Sequence, residues 1–167
     1  MVYRKGLEFL LDTLQLLSTE VNWKLLLVGD GAEKINLMKK VKHMHNGERI
    51  EFAGTVSYDA MKSLFSQSDI FVFPSLRETT GSVVFEAMAN SLPVISFDQN
   101  GVSMIVDNKT GVLVPLEGTL EDVKRKFCNA IKLLLEDSNL RSEMGKNART
   151  KIIDKYLWNE KVKAVKY

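Results

Sequence analysis

Five short apolar runs recur along the chain, at residues 25–28, 50–53, 70–73, 94–97 and 112–114. Each run is largely apolar at both its odd-numbered and its even-numbered positions, which favours strands buried on both faces of a parallel sheet. Stretches with helical periodicity lie between them, near residues 32–45, 57–66 and 82–90. An amphipathic helix precedes the first run, with leucines at 7, 10, 11, 14 and 17. Strands that alternate with helices predict an α/β fold with a Rossmann-like, doubly wound parallel sheet.

After the fifth run the pattern becomes purely helical. One apolar face begins near Leu120, with Thr119 as the expected N-cap, and a second follows Asp137. A last short helix is predicted after Trp158. Because no repeat, low-complexity stretch or linker interrupts the 167 residues, we expect residues 1–167 to form one domain with a C-terminal helical tail.

Charge, cysteine content and hydropathy exclude several classes of protein. The net charge of +2 is too small to argue for nucleic-acid binding. A single cysteine, Cys128, excludes an internal disulfide and favours a reducing, cytoplasmic compartment. The sequence has no secretion signal and no apolar run long enough for a membrane span. The spacing of His43 and His45 does not suit a metal site, and we expect both on the surface.

Glycine-containing loops follow the predicted strands at their carboxyl ends, where open parallel sheets bind ligands. The third loop is the richest, because Thr79-Thr80-Gly81-Ser82 leads directly into a helix. Free N–H groups at a helix N-terminus bind anions, phosphate especially. Glu78 precedes this helix, and Glu86 lies within it among apolar and small residues.

The two acids have two possible explanations. Glu78 could be a solvated loop acid and Glu86 a residue of the helix surface. Alternatively, we expect Glu86 to be buried and to need hydrogen-bond donors, which sugar hydroxyls supply. Two acids around a glycine-led helix start favour the second explanation, a ligand with both phosphate and hydroxyl groups.

These residues resemble the E-x7-E signature of group 1 (family 4) glycosyltransferases. Other motifs follow in the family's order, from Lys5-Gly6 and Val28-Gly29-Asp30-Gly31 to the Tyr156 and Trp158 pair. The resemblance implies the C-terminal, donor-binding lobe of a GT-B enzyme, with the N-terminal acceptor lobe absent from this chain. The implied enzyme is a retaining, hexosyltransferase-type glycosyltransferase that takes a UDP-sugar or GDP-sugar and needs no metal or further cofactor.

The resemblance also assigns roles to individual residues. Glu78 would hold the sugar hydroxyls and Glu86 the ribose hydroxyls. Lys5 would neutralise the diphosphate. The backbone at Gly81, Ser82 and Val83 would bind the diphosphate beside Lys5. Thr55, Val56 and Ser57 would edge the base, and Gly31 and Thr80 are the other expected donor-binding residues. A cation and a helix N-terminus there would stabilise the charge that develops on the leaving diphosphate.

Several positions depart from the family pattern. The usual arginine five residues before Lys5 would precede Met1. A common acid is missing from the segment Asn100-Gly101-Val102-Ser103-Met104, and Ser91 replaces a common glycine. The missing arginine concerns the affinity for pyrophosphate, and the other departures concern the identity of the donor.

The sequence has two rival explanations. A dinucleotide-binding oxidoreductase fits poorly, since Lys34 stands where the third glycine of its fingerprint belongs. A non-catalytic sugar-nucleotide-binding or protein-binding module of the same fold is the stronger alternative. We expect the chain alone to bind donor and to transfer nothing.

The C-terminal residues 146–167 carry seven lysines or arginines against two acids. A solvated helix face is the favoured explanation. A weaker hypothesis places this segment against the N-terminal lobe or a membrane-linked acceptor at the inner face of the membrane.

Overall fold

The chain alternates helices and strands and then ends in two long helices. A computed structural model describes residues 5–76 and 81–156. Its elements are α1 (Leu7–Leu14), β1 (Leu25–Val28), α2 (Lys34–Lys42), β2 (Ile50–Gly54), α3 (Tyr58–Ser66), β3 (Phe71–Phe73), α4 (Ser82–Ala89), β4 (Val94–Phe97), α5 (Asn100–Ile105), β5 (Gly111–Val114), α6 (Leu120–Glu136) and α7 (Ser138–Tyr156).

All five predicted strands form, and the helices predicted within the described residues form with changed ends. Helix α1 stops at Leu14 rather than Leu17, although Leu17 is still buried. The six-residue helix α5 was not predicted, and a short 3₁₀ helix (Gly47–Arg49) precedes β2. His43 and His45 are exposed beyond the end of α2, as expected. The helix predicted after Trp158 lies outside the described residues.

The described strands form two parallel ladders. In the first, β1 pairs with β2, and in the second, β4 lies between β3 and β5. Parallel neighbours joined by helical crossovers confirm the predicted Rossmann-like, doubly wound architecture.

Strand β4 shows the two faces of the sheet most clearly, because all four of its residues are buried. Ile95 and Phe97 face the larger core, to which α1, α2 and α6 contribute. Val94 points the other way into a second cluster, which α4 and α7 help to form. This alternation follows from the two-residue period of a strand.

The first ladder is less well covered. Leu26 and Glu51, register partners in β1 and β2, are exposed. An open groove of 520 Å³ lies between this face of the ladder and α3. The prediction that every strand is buried on both faces is therefore wrong for β1 and β2.

Two long helices close the second ladder. Helix α6 begins with a complete capping box, since Thr119 Oγ1 accepts the N–H of Asp122 and the Asp122 carboxylate accepts the N–H of Thr119. Helix α7 packs on α4 and is anchored by Lys151, whose Nζ lies 2.7 Å from a carboxylate oxygen of Asp107. No helix among the described residues is long and apolar enough to cross a membrane.

Candidate functional site at the carboxyl edge

The loops that leave β1 and β2 are joined directly. The N–H of Gly29 donates to the carbonyl oxygen of Gly54 over 2.7 Å. Three glycines of these loops, Gly29, Gly31 and Gly54, have positive φ angles of 114°, 146° and 69°. Because L-residues rarely adopt such angles, glycine lets the chain turn sharply at this edge. Gly31, one of the predicted donor-binding residues, is exposed here.

Asp30 and Lys34 organise the start of α2 beside these glycines. Asp30 accepts the Lys34 ammonium at 2.8 Å and the Gly31 N–H at 2.7 Å. Those two hydrogen bonds, the lysine's first, lower the pKa of Asp30 below its usual value. A β-carbon on Gly54 would lie 3.7 Å from Lys34 Nζ. The structure thus adds Lys34, a cation between the two loops, which the sequence reading missed although its i,i+4 spacing from Asp30 was visible.

The loop predicted to edge the base lies at the start of α3. Thr55 and Ser57 are exposed, and Val56 is half-buried. Ser57 is the N-cap of α3, where its Oγ accepts the N–H of Ala60 over 3.2 Å. Its hydroxyl oxygen therefore already caps the helix, while its O–H can still donate to a ligand.

Lys5 and Gly6 lie at the carboxyl end of β3. The Lys5 ammonium is 5.7 Å from the centre of the Phe73 ring. Gly6, with a φ of 67°, is the N-cap of α1. A β-carbon on Gly6 would lie 1.9 Å from the carbonyl oxygen of Pro74. Only glycine fits this close approach, and it places the predicted diphosphate-binding lysine beside the β3 loop.

The loops after β3 and β4 also contact each other. Gln99 donates its side-chain N–H to the carbonyl oxygen of Ser75 over 3.3 Å. Helix α4 then begins at Ser82, with buried Gly81 as its N-cap in a left-handed conformation. Ser82 is exposed and Val83 half-buried. Predicted site residues Glu78 and Thr80 lie outside the described residues.

Glu86 is exposed, and the expectation that it is buried is wrong. The buried face of α4 consists of Val84, Ala87 and Met88, spaced three and four residues apart. Glu86 follows Val84 by two positions, which on a helix turns it to the opposite side. Ser82 precedes Glu86 by one full turn, so both exposed residues share a face of α4.

Tyr156 of the predicted aromatic pair also packs on α4. Its ring meets Phe85 edge-on, with centroids 5.0 Å apart, and its hydroxyl donates to the carbonyl oxygen of Met104 over 3.4 Å. Trp158 lies outside the described residues. Within the described ranges, no group of three or more His, Cys, Asp or Glu side chains could hold a metal ion.

Comparison with known proteins identifies the family. Residues 1–151 match the family described as glycosyl transferases group 1. The chain belongs to this family. It is 30% identical over 146 residues to an alpha-D-kanosaminyltransferase of Streptomyces kanamyceticus, covering 86% of this chain and 36% of that enzyme. The chain spans less than half the length of the curated relatives it matches.

Solved structures of glycosyltransferases share the fold. The C-terminal domain of a group 1 family glycosyl transferase from Francisella tularensis superimposes with a TM-score of 0.81 at 24% identity, covering 95% of this chain and 83% of that one. TarM of S. aureus, in a complex that includes UDP, gives a TM-score of 0.81 at 24% identity over 98% of this chain and 32% of that one. The fold is that of the C-terminal lobe of a GT-B glycosyltransferase.

Proposed function

We propose that this group 1 glycosyltransferase chain binds the nucleoside diphosphate of a sugar donor at the carboxyl edge of its sheet. The observation that carries the proposal is the pairing of a cation with a helix N-terminus at the end of one strand. Lys5 lies beside Phe73, the last residue of β3, and α4 begins after the loop that leaves the same strand. Both features attract a diphosphate.

The first turn of α4 supplies backbone donors for this anion. The N–H groups of Ser82 and Val83 have no acceptor among the described residues, whereas the N–H of Val84 donates to Gly81 over 2.7 Å. The first N–H groups of a helix lack intrahelical partners. A phosphate at this position would take up these donors, and the Lys5 ammonium would balance its charge.

Glu86 then has a position suited to the ribose. It lies one turn along α4 from Ser82, which corresponds to a rise of about 6 Å. A carboxylate at that separation is past the phosphate contact and can accept hydrogen bonds from the two ribose hydroxyls. We place the base at the loops that follow β1 and β2, at Gly31 and residues 55–57.

The reaction we propose is retaining transfer of a hexosyl group from a UDP-sugar or GDP-sugar to a saccharide or membrane-linked acceptor. As the bond from the sugar to the diphosphate breaks, negative charge grows on the leaving oxygen. Lys5 and the α4 N-terminus would stabilise that charge without a metal ion. Glu78 would hold the sugar hydroxyls, and an N-terminal lobe would bring the acceptor. The relatives' names and the UDP bound to TarM support this proposal.

Calorimetric titration of the chain with UDP, GDP and their sugar conjugates tests the proposal. We expect one nucleotide to bind. Lys5→Met should weaken that binding about tenfold, the loss of roughly one charge-assisted hydrogen bond. Lys24→Met is the matched control, because exposed Lys24 precedes β1 and so lies at the opposite edge of the sheet. The absence of heat and of any thermal shift across the whole panel at millimolar ligand would refute donor binding.

A further inference from the structure

Helix α2 carries an apolar pair on its outer side. Ile35 is 66% exposed and Met38 is 40% exposed, although both side chains are large and hydrophobic. The inner side of the same helix is formed by Leu37 and Val41, which are buried in the larger core. A single exposed apolar residue is ordinary on a protein surface. Two that stand three positions apart on one helix lie side by side and form a patch.

Two lysines continue this patch along the helix. Residues 35, 38, 39 and 42 follow the i, i+3, i+4, i+7 spacing of one helix face, and Lys39 and Lys42 are both exposed. Residues 34–45 contain four lysines and no acid. Ile35, Met38, Lys39 and Lys42 therefore form the α2 face, a surface that combines apolar and positive groups.

The neighbouring acids do not neutralise the α2 face. Lys40 Nζ lies 2.6 Å from a carboxylate oxygen of Asp12 and 3.3 Å from one of Glu8, so these acids of α1 pair with a lysine on the flank of α2. Lys39 and Lys42 have no ion-pair partner in the part of the chain that the structure describes. Their ammonium groups are available to an external anion.

The stability of the helix explains only half of this surface. Cations in the last turn of a helix interact favourably with its dipole, and Lys39, Lys40 and Lys42 all lie there. That role needs no apolar side chain in the turns before them, and an exposed isoleucine forgoes the free energy of burial. A partner that is both anionic and apolar accounts for the lysines and for Ile35 and Met38 together.

We propose that the α2 face docks on the surface of an anionic lipid bilayer. Ile35 and Met38 enter the boundary between headgroups and acyl chains, and Lys39 and Lys42 bind lipid phosphates. Lysine suits this arrangement, since its aliphatic stem follows the apolar surface while its ammonium group reaches the headgroups. A bilayer presents phosphates above a continuous apolar layer, which matches lysines beside apolar side chains on a convex helix without any shaped groove.

Docking in this way holds the carboxyl edge of the sheet close to the membrane. Helix α2 begins at Lys34, shortly after the loop that leaves β1, and Ile35 lies in its first turn. The α2 face therefore starts beside the candidate site and runs away from it along the helix. Docking does not require a bound nucleotide, so it and the proposed donor binding can each fail without the other.

Co-sedimentation with lipid vesicles tests the docking. The 167-residue chain is mixed at low salt with vesicles of phosphatidylcholine alone, or of equal parts of phosphatidylcholine and phosphatidylglycerol, at millimolar lipid. Circular dichroism and thermal unfolding check that each variant is folded. Three double variants are compared with the parent chain: Lys39→Gln with Lys42→Gln, Ile35→Gln with Met38→Gln, and Lys146→Gln with Lys155→Gln.

The third variant is the matched control. It loses the same two charges from exposed positions of α7, within the basic C-terminal segment that is the rival membrane contact. We expect the parent chain to sediment with the anionic vesicles and not with phosphatidylcholine alone. Each variant of the α2 face should lower the partition coefficient about tenfold, because it loses either two lysine contacts or the inserted apolar area. The control should keep the parent value.

Three results would overturn the proposal. The first is a parent chain that does not sediment with anionic vesicles. The second is an equal loss in the control and in the Lys39 and Lys42 variant, because net charge alone would then explain the binding. The third is unchanged binding of the Ile35 and Met38 variant, since the partner would then be an acidic macromolecule rather than a bilayer.

Discussion

The carbonyl oxygen of Pro74 occupies the space in which a β-carbon on Gly6 would lie, at a separation of 1.9 Å. This contact joins the first helix to the loop that leaves β3. It also holds Lys5, the neighbouring residue, beside the ring of Phe73. The close approach therefore connects the packing of α1 with the predicted diphosphate site.

Gly6→Ala should lower the free energy of unfolding by more than about 2 kcal/mol. The left-handed backbone alone costs an L-residue about 1–2 kcal/mol, and the clash with Pro74 adds to it. Chemical denaturation measures the change. Gly29→Ala is the control, since Gly29 also has a positive φ but a β-carbon there would meet nothing within 4 Å. Equal destabilisation of the two variants would show that the Pro74 contact contributes nothing.

Ser91→Gly should stabilise the protein by about 0.5–1 kcal/mol. Among the residues that the structure describes, Ser91 is the one non-glycine residue with a positive φ, 62°, and it lies in the turn before β4. Relief of left-handed strain outweighs the extra freedom that glycine gives the unfolded chain. Thermal or urea unfolding measures the gain. Ser63→Gly, within α3, should destabilise by up to about 1 kcal/mol. A loss of stability in Ser91→Gly would contradict the strain argument.

The same residue shows what the sequence could predict. The resemblance identified Ser91 as a departure from a common glycine. The structure explains why glycine suits this position, because the backbone there is left-handed. The strands were predictable because each is a compact apolar run. Helix α5 was not, because six residues containing Gly101 and Val102 carry little helical signal.

The exposure of Glu86 was predictable in principle. The helical period places it opposite Val84, but the apolar composition of α4 was given more weight than its spacing. The pairing of the described strands in two ladders could not be predicted in this way. An apolar run has the same pattern whether its edge is paired or free, and only the three-dimensional pairing distinguishes the two cases.

The α6 capping box should make stability depend on pH in the acid range. Hydrogen bonds from Thr119 and then Arg125 lower the pKa of Asp122 from 3.8 to about 2. A lowered folded-state pKa stabilises above the unfolded value, and that contribution is lost as pH falls from about 4 through about 2. Urea unfolding at several pH values measures the loss. Asp122→Asn should remove this part of the profile, and Thr119→Val should shift it upward. An Asp122→Asn profile identical to that of the parent chain would contradict the assignment.

Glu86→Gln should weaken nucleotide binding about tenfold and leave the free energy of unfolding unchanged. Glu86 is exposed, and its carboxylate has no hydrogen-bond or ion-pair partner among the described residues, so the fold does not depend on its charge. Its proposed partners are the ribose hydroxyls, for which a neutral amide is a weaker acceptor than a carboxylate. Calorimetric titration measures affinity, and urea unfolding measures stability.

A probe that lacks only the two ribose hydroxyls makes this assignment specific. In the parent chain, we expect UDP to bind more tightly than 2′,3′-dideoxy-UDP, or the GDP pair to behave in this way if guanine is the preferred base. Glu86→Gln should remove most of that difference in affinity, because the substitution and the dideoxy sugar remove the same hydrogen bonds. Glu143→Gln, an exposed acid on α7, is the control and should keep it. A Glu86→Gln variant that still discriminates fully between the two nucleotides would show that Glu86 does not contact the ribose.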